Sequence, residues 1–311
     1  MDFVHIPVML NECLDGLNLK EDGIYVDATI GVAGHSLEIL KRTKSAKLIG
    51  IDQDKDAIAV CRDRLKAYKD RVTLVLDNFS NLNKILEKLK IEKIDGILID
   101  LGVSSYQLDN GSRGFSFRFN SPLDMRMNQD QKLDAKFVVN NYGEGELKRI
   151  IFDYGEERFA PRVAHKIVES RSKKPIETTF ELRDLIMSCV PNVRGRAMDS
   201  VQRVFQAIRI CVNGELDVIG KTINQAVNHL NKGGRIVVLT FHSLEDRIVK
   251  TMFKELSTNC TCPPEFPVCV CGGNNAKLKL INNKPIIAST DELKVNSRSS
   301  SAKLRIAEKI K

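Results

Sequence analysis

Polar and small residues near the start of the chain have the types and spacing of a ligand site. Asp27 ends a short apolar run and opens a loop of small residues at 28–36 that contains Gly31 and Gly34. Asp52 ends the next apolar run, 21 residues after Gly31. Such a loop lets a ligand approach the backbone, and a carboxylate at this offset is the usual acceptor for two ribose hydroxyls. The pattern favours a ribose-bearing cofactor over glycines that serve only a tight turn.

Two later apolar runs also end in polar side chains. Asp77 and Asn78 precede Phe79, which suits an adenine contact, or a helix cap followed by a core phenylalanine. Asp100 ends the fourth run and is followed by Ser104, at the place where a substrate would meet a cofactor. The loop at 28–36 lacks the third glycine that packs against a pyrophosphate, so a methyl donor fits better than a dinucleotide.

The elements that must position these residues alternate along the chain. Short β-type runs and helical patterns alternate up to about residue 101, which predicts a parallel sheet with right-handed crossovers. Residues 133–210 have the pattern of helices broken at prolines, and a turn at 231–234 then precedes a strand at 235–241. The predicted fold is α/β, a Rossmann-like sheet with an inserted helical domain. The predicted domains are 1–108 with 209–311, which bind the cofactor, and 109–208, which recognises the substrate.

The composition favours an anionic partner. The chain has 48 Lys and Arg against 40 Asp and Glu, a net charge of +8, and from residue 273 onward 9 basic residues stand against 3 acidic ones. Arg298, among serines at 297–301, suits an RNA phosphate, or this region is a solvated tail with an edge strand at 303–307. The absence of Trp argues against a large base-stacking surface. No segment has the pattern of a signal peptide or a membrane span, which favours the cytoplasm.

Longer motifs carry a family resemblance. They are DLGVSSYQLD at 100–109, RGFSF at 113–117, PLDMRM at 122–127, YGEERFA at 154–160, RVFQAIR at 203–209 and GGRIVVLTFHSLEDR at 233–247. Together with HIPV at 5–8 and AKLR at 302–305, they resemble the bacterial 16S rRNA (cytosine-N4)-methyltransferase family, MraW or RsmH, over nearly the whole chain.

The resemblance implies a class I S-adenosylmethionine-dependent methyltransferase. It would act on N4 of a cytidine in the decoding region of 16S rRNA, as free rRNA or in the small ribosomal subunit. The cofactor contacts implied by motif position are Ala33, Gly34, His35, Asp52, Phe79, Asp100 and Gln107. Ala33 stands where the family usually has glycine, and its methyl group disfavours a positive φ. A ribosome assembly factor that binds the cofactor without turnover is the alternative function.

Two carboxylates are candidates for catalysis. The exocyclic amine of cytosine is a poor nucleophile because its lone pair is delocalised into the ring, so an acceptor must take its hydrogen bonds as it attacks. Asp100 is the best placed by its strand position, although a contact to the cofactor alone explains it equally well. Asp124 follows the Gly- and Ser-rich segment, and is either a second acceptor or an ion-pair partner of Arg126 or Arg118.

Aromatic and histidine side chains are candidates for contacts to the base. Phe115, Phe117 and Phe119 alternate, which predicts one face of an extended segment that stacks a flipped base. The more frequent arrangement for such a pattern is a set of core residues that anchor the insertion. His242 follows the last predicted strand and would orient the cytosine or a phosphate, or it is a structural histidine.

Four of the eight cysteines lie close together. Cys260 and Cys262 form one C-x-C pair, and Cys269 and Cys271 form a second, with three prolines between the pairs. Four thiolates within 12 residues are enough to surround one structural Zn²⁺. A reduced cysteine-rich loop and a redox pair are the alternatives.

Overall fold

A computed structural model describes residues 6–192, 195–260, 262–263 and 265–311 of the chain. Its strands are β1 (Ile24–Asp27), β2 (Lys47–Asp52), β3 (Val72–Leu76), β4 (Ile94–Asp100), β5 (Leu230–Thr240), β6 (Leu278–Leu280), β7 (Ile286–Ile287) and β8 (Lys303–Lys309). Its helices are α1 (Leu10–Leu17), α2 (Gly34–Arg42), α3 (Lys55–Arg64), α4 (Leu82–Lys88), α5 (Ser105–Asp109), α6 (Ala135–Asn141), α7 (Glu144–Asp153), α8 (Ala160–Arg171), α9 (Thr179–Cys189), α10 (Ala197–Asn213), α11 (Glu215–His229), α12 (Ser243–Leu256) and α13 (Thr290–Val295). Within these ranges, no helix is both long and apolar enough to cross a membrane.

The chain forms two compact units, Met1–Gly102 with Leu216–Lys311 and Val103–Glu215. The predicted insertion, 109–208, lies within the second unit, which begins earlier and ends later. Helices α5 to α10 make up this second unit, and their apolar faces meet in a core of its own. This core explains why the proline-broken stretch folds as helices, since each short helix buries one apolar face against its neighbours.

The first unit is built on one sheet. Its strands lie in the order β3-β2-β1-β4-β5-β8-β6, with β7 beside β8. Strands β1 to β5 pair in parallel, whereas β8 is antiparallel to β5, β6 and β7. The chain order reverses between β1 and β4, and in open α/β sheets ligands bind beyond the carboxyl ends of the strands at such a point. The predicted α/β, Rossmann-like class is confirmed by this topology.

Both faces of the sheet are buried. Alternate strand residues such as Val26 and Ile97 belong to one apolar cluster, while Leu48 and Leu98 belong to another on the opposite face. Helices α4, α11 and α12 contribute to the first cluster, and α1, α2 and α3 contribute to the second. Strands buried on both faces need apolar side chains in both directions, which is why they stand out in the sequence as continuous apolar runs.

The predicted turn at 231–234 is a bulge within β5, because the pairing with β4 passes from Leu230 opposite Ile94 to Arg235 opposite Gly96, and Gly233 has φ 80°. The alternative of a solvated tail with an edge strand at the end of the chain is wrong. The predicted edge strand is interior, because β8 lies between β5 on one side and β6 and β7 on the other. Leu304 and Ala307 are completely buried there, so this part of the chain is not a solvated tail.

Candidate functional site

The loop from β1 to α2 is held by a buried carboxylate. Asp27 accepts a hydrogen bond from Ser36 Oγ at 2.6 Å and one from the backbone N–H of Thr29 at 3.3 Å. Burial raises the pKa of Asp27 to about 6, although these hydrogen bonds favour its charged form. Asp27 therefore joins the end of β1 to the first turn of α2. The sequence placed Asp27 at the loop without predicting this role.

The backbone of the same loop adopts left-handed conformations. Gly31 has φ 50° and Ala33 has φ 61°, and the N–H of Ala33 donates to the carbonyl of Ile30 at 2.7 Å. A non-glycine residue in this region is strained by about 1–2 kcal/mol. The methyl group of Ala33 is fully buried, which helps to offset the strain. The loop thus keeps a glycine-like turn at Ala33, and Gly34 begins α2 directly after it.

Asp52 at the end of β2 is tied to this loop. The backbone N–H of Gly31 donates to Asp52 Oδ2 at 2.9 Å, and that of Asp54 donates to Oδ1 at 2.9 Å. Burial raises the pKa of Asp52 to about 6. A carboxylate accepts about four hydrogen bonds, so each oxygen keeps acceptor capacity after these two. Asp52 can therefore accept hydrogen bonds from a vicinal diol.

Asp100 ends β4 beside the loop. Its backbone N–H donates to Thr29 Oγ1 at 2.7 Å, and its Oδ2 lies 3.9 Å from His35 Nδ1, too far for a hydrogen bond. Oδ1 is buried and has no hydrogen-bond partner among the described residues. Burial, with the negative charges of Asp27 and Glu245, raises the pKa of Asp100 to about 8. A buried acceptor without a partner is a natural contact for a ligand that brings a donor or a positive charge.

His35 connects this site to the start of the chain. Its Nε2 lies 3.0 Å from the backbone carbonyl of Val8, and because a carbonyl only accepts, Nε2 carries the proton. The side chain is buried, with Nδ1 toward Asp100. Val8 belongs to the HIPV motif, of which His5 lies outside the described residues. This contact gives a physical reason for the motif.

His242 caps the helix that follows β5. It is the residue before α12, and its Nε2 lies 3.1 Å from Glu245 Oε1. Glu245 is buried, and its Oε2 accepts from the backbone N–H groups of Phe241 at 2.7 Å and His242 at 3.2 Å. Glu245 is not among the residues predicted from the sequence, although an acidic residue three positions after a helix N-cap is a known capping signal. Glu245 therefore caps the start of α12 through its backbone hydrogen bonds, whereas neither ring nitrogen of His242 has a hydrogen-bond partner among the described residues.

Two of the predicted cofactor contacts also have local structural roles. Phe79 begins a single helical turn that is capped by Asn78, whose Oδ1 accepts from the N–H of Ser80 at 2.9 Å. The ring of Phe79 packs against the apolar cluster beneath α4. Gln107 lies in the second unit, where its Oε1 accepts from the N–H of Ser104 at 3.0 Å in a capping box of α5.

Asp124, also in the second unit, is an ion-pair residue. Its two oxygens accept from Nε and Nη2 of Arg126 at 2.9 and 2.7 Å. Burial alone would raise the pKa of Asp124, but the hydrogen bonds and charge of Arg126 outweigh it and hold the pKa below its ordinary value. A carboxylate held in its charged form by a bidentate arginine is a weak proton acceptor.

The three alternating phenylalanines do not share one face. Phe115 is buried in the core of the second unit, and Phe117 packs edge-on against Phe205 with ring centroids 5.6 Å apart. Phe119 is 45% exposed. The segment turns instead of extending as a strand. Phe115 and Phe117 therefore occupy the positions of core anchors, the alternative to base stacking.

The region around Arg298 is folded. Arg298 is exposed on a short helical segment, Ser297–Ser301, and the neighbouring Ser299 is buried. Ser299 Oγ donates to Glu292 Oε1 at 2.5 Å, and the backbone N–H of Met9 donates to the same oxygen at 2.6 Å. Arg298 thus projects from a fixed segment that packs on the start of the chain.

Comparisons with known proteins identify the family. The profile of the MraW methylase family matches residues 2–310. A relative from Clostridium botulinum (strain 657 / Type Ba4), named Ribosomal RNA small subunit methyltransferase H, is 55% identical over 311 residues, 100% of both chains. A protein of the same name from Lachnospira eligens is 54% identical over 312 residues, 100% of this chain and 99% of that one.

Similarity to solved structures is weaker. An rRNA methylase from Streptococcus thermophilus has 12% identity and a TM-score of 0.44, covering 99% of this chain and 100% of that chain. The family match and the two relatives, by contrast, extend over essentially the full length of this chain. They confirm the predicted resemblance, and the chain belongs to the MraW methylase family.

Proposed function

We propose that this protein transfers a methyl group from S-adenosylmethionine to the exocyclic N4 of a cytidine in the decoding region of 16S rRNA. The observation that carries the proposal is the full-length match, at 55% identity, to a protein named Ribosomal RNA small subunit methyltransferase H. The motifs that resemble the cytosine-N4 family support the position of the methyl group. The proposed substrate, free rRNA or the small ribosomal subunit, places the reaction in the cytoplasm.

The residues at the carboxyl edge of β1, β2 and β4 fit this cofactor. Asp52 keeps two acceptor positions for the ribose hydroxyls, and the turn at Gly31 and Ala33 brings backbone close to a ligand. Asp100 Oδ1 has no hydrogen-bond partner in the described part of the chain, and it suits the N–H donors and positive charge of the cofactor. Phe79 is the proposed adenine contact. When bound, S-adenosylmethionine supplies a methyl group activated by a positively charged sulfur.

Of the two candidate carboxylates, Asp100 suits the reaction better. Its pKa of about 8 lets it bind or release a proton near neutral pH, whereas the lowered pKa of Asp124 keeps that carboxylate charged and bound to Arg126. Its position beside Thr29 and His35 makes Asp100 first a cofactor contact. An additional role as acceptor for the cytidine amine is the alternative.

Steady-state kinetics of Asp100→Asn separate these two roles. If Asp100 contacts only the cofactor, the variant has a raised KM for S-adenosylmethionine and recovers kcat at saturation. If Asp100 also accepts from the amine, kcat stays low at any cofactor concentration. Asp124→Asn is the matched control, and we expect its KM for the cofactor to stay near that of the unchanged protein.

The proposed activity is tested with tritiated S-adenosylmethionine and small ribosomal subunits from a strain that lacks the enzyme. At a cofactor concentration well below the raised KM of Asp100→Asn, we expect label in 16S rRNA with the unchanged protein and much less label with that variant. A protein that binds subunits and supports ribosome assembly equally well in both forms, without label, is the non-catalytic assembly factor instead. Free 16S rRNA in a parallel reaction distinguishes the two substrates.

RNA contacts are proposed at the exposed side chains of both units. Arg298 is a proposed phosphate contact, because it is exposed on a fixed segment among hydroxyl groups. Phe119 is the exposed member of the three alternating phenylalanines, and it takes over the proposed stacking role from Phe115 and Phe117. Arg298→Ala should weaken RNA binding and flatten its salt dependence without changing the affinity for the cofactor.

A further inference from the structure

Four sulfur atoms converge on the segment between α12 and β6. The Sγ atoms of Cys260, Cys262, Cys269 and Cys271 all lie within 4.8 Å of one another. Cys269 Sγ is 3.6 Å from that of Cys260, 4.0 Å from that of Cys262 and 3.5 Å from that of Cys271. Cys271 Sγ is 3.8 Å from that of Cys260. The two C-x-C pairs therefore form one four-sulfur cluster, which we term the cysteine cluster.

The four sulfur–sulfur distances of 3.5 to 4.0 Å match the edges of a tetrahedron of thiolates around one metal ion. Zinc binds thiolate at about 2.3 Å, and the edges of a regular tetrahedron with that radius are about 3.8 Å. A disulfide would need about 2.05 Å between two sulfurs. The eight cysteines form no disulfide bond with one another. Four sulfurs at the spacing of a coordination sphere distinguish a metal site from a redox pair, which brings two sulfurs together and not four.

Apolar packing does little to hold the segment in place. Phe266, Val268 and Val270 are 51%, 70% and 72% exposed. The base of the loop is closed by backbone hydrogen bonds, from the N–H of Lys277 to the carbonyl of Leu256 at 2.8 Å and from that of Asn275 to the carbonyl of Asn259 at 3.1 Å. The tip needs another source of stability, and a bound metal supplies one to segments too small for a core.

The backbone around the cysteine cluster suits thiolate ligands. The N–H of Val270 points at Cys262 Sγ at 3.3 Å, a contact that stabilises negative charge on sulfur. Gly272 and Gly273 directly follow the last cysteine with φ values of 79° and 62°, and they turn the chain back toward the base of the loop.

We propose that Cys260, Cys262, Cys269 and Cys271 bind one Zn²⁺ in a closed structural site. Each thiol gives up its proton to solvent on binding, and four thiolates with Zn²⁺ carry a net charge of −2. All four positions of the tetrahedron are taken by sulfur, so the ion has no open position for a substrate. The ion fixes the tip of the segment. It takes no part in methyl transfer.

Metal analysis of the purified full-length protein tests the site. We expect about one zinc per chain in protein prepared without chelators, and almost none in the Cys262→Ser, Cys271→Ser double variant. The Cys189→Ser, Cys211→Ser double variant is the matched control, because it removes two half-buried cysteines outside the cluster and should keep its zinc. Metal-free protein with four additional titratable thiols overturns the proposal. Iron in place of zinc would contradict the assignment of the metal as zinc.

Limited proteolysis reports on the segment itself. Glu265 is exposed, and it is the only acidic residue between Glu255 and Asp291, so a glutamate-specific protease has one site within the loop. We expect a chelator, or the double variant in the cluster, to speed cleavage after Glu265 by about tenfold, because the tip then opens more often. Equal cleavage rates with and without zinc contradict a structural role. Retained binding of S-adenosylmethionine in the same samples shows that the remaining fold is intact, so this test is independent of the proposed methyl transfer.

Discussion

Replacement of Asp100 by Asn should stabilise the cofactor-free protein, and the gain should grow with pH. The pKa of Asp100 is raised from 3.8 to about 8 in the folded protein, chiefly by burial. Between those two pH values the unfolded chain has released the proton while the folded protein still holds it. Folding therefore loses stability as pH rises from about 4 to about 8, and the loss is constant above pH 8. Asn carries no proton to titrate and avoids this loss.

The size of the stability gain follows from the raised pKa of Asp100. Each pKa unit corresponds to about 1.36 kcal/mol, so the advantage of Asn at pH 7 is about 4 kcal/mol as an upper bound. The difference in free energy of unfolding between variant and unchanged protein should increase by about 1.4 kcal/mol per pH unit from pH 5 to pH 8. The side chain of Asp100 is 26% exposed, so the measured slope should lie at or below this value.

Urea unfolding from pH 5 to pH 9 measures this difference. Because the chain has no Trp, far-ultraviolet circular dichroism is the appropriate signal. Asp124→Asn is the control with the opposite sign. The pKa of Asp124 is lowered, so its carboxylate stabilises the fold throughout this pH range, and the variant should be less stable than the unchanged protein by an amount that does not change with pH. Two results would contradict a raised pKa at Asp100. One is a stability difference between Asp100→Asn and the unchanged protein that does not change with pH, and the other is a variant that is less stable than the unchanged protein at pH 8.

Three other predictions follow from the same contacts. Ala33→Gly relieves the strain of a left-handed alanine, but it also removes a buried methyl group and gives the unfolded chain more freedom. The free energy of unfolding measured in urea should therefore change by less than about 1 kcal/mol. A larger loss of stability would mean that Ala33 is not strained. In the unchanged protein Asp246 pairs with the buried Arg305 at 2.6 Å. Asp246→Ala removes this partner and should lower the free energy of unfolding by about 3 kcal/mol. An unchanged midpoint of urea unfolding would contradict this. If the charged form of Asp100 receives S-adenosylmethionine, as we propose, the cofactor should bind more tightly as pH rises from 6 to 8, by at most about tenfold per pH unit in calorimetry. The same pH dependence in Asp100→Asn would assign it to another group.

The strands of the parallel sheet were predictable because each one is marked by the residues within it. Buried parallel strands need apolar residues on both faces, so each strand is visible as an apolar run, and β2 ends at Asp52, where the second apolar run was predicted to end. The position of β8 was not predictable from the same signal. Its neighbours β5 and β6 are distant in sequence, and nothing within 303–309 indicates which strands will flank it.

The candidate site was predictable at the strand ends and less so elsewhere. Asp52 was identified from its spacing to Gly31 and Asp100 from its place at the end of an apolar run, because parallel strands bring their carboxyl ends to one edge. The partners that set their properties come from distant segments, such as Glu245, whose charge helps to raise the pKa of Asp100. The placement of Phe115 depends on tertiary packing, which the alternation of aromatic residues does not reveal.

Nucleoside analysis of labelled 16S rRNA is the most direct test of methyl transfer to N4 of a cytidine. Small ribosomal subunits from a strain without the enzyme would be treated with the protein and labelled S-adenosylmethionine, and the rRNA digested to nucleosides and separated by chromatography with mass detection. We expect one labelled product, a cytidine that carries the new methyl on N4. Label on a ring carbon or on the ribose, or no label in 16S rRNA, would contradict it.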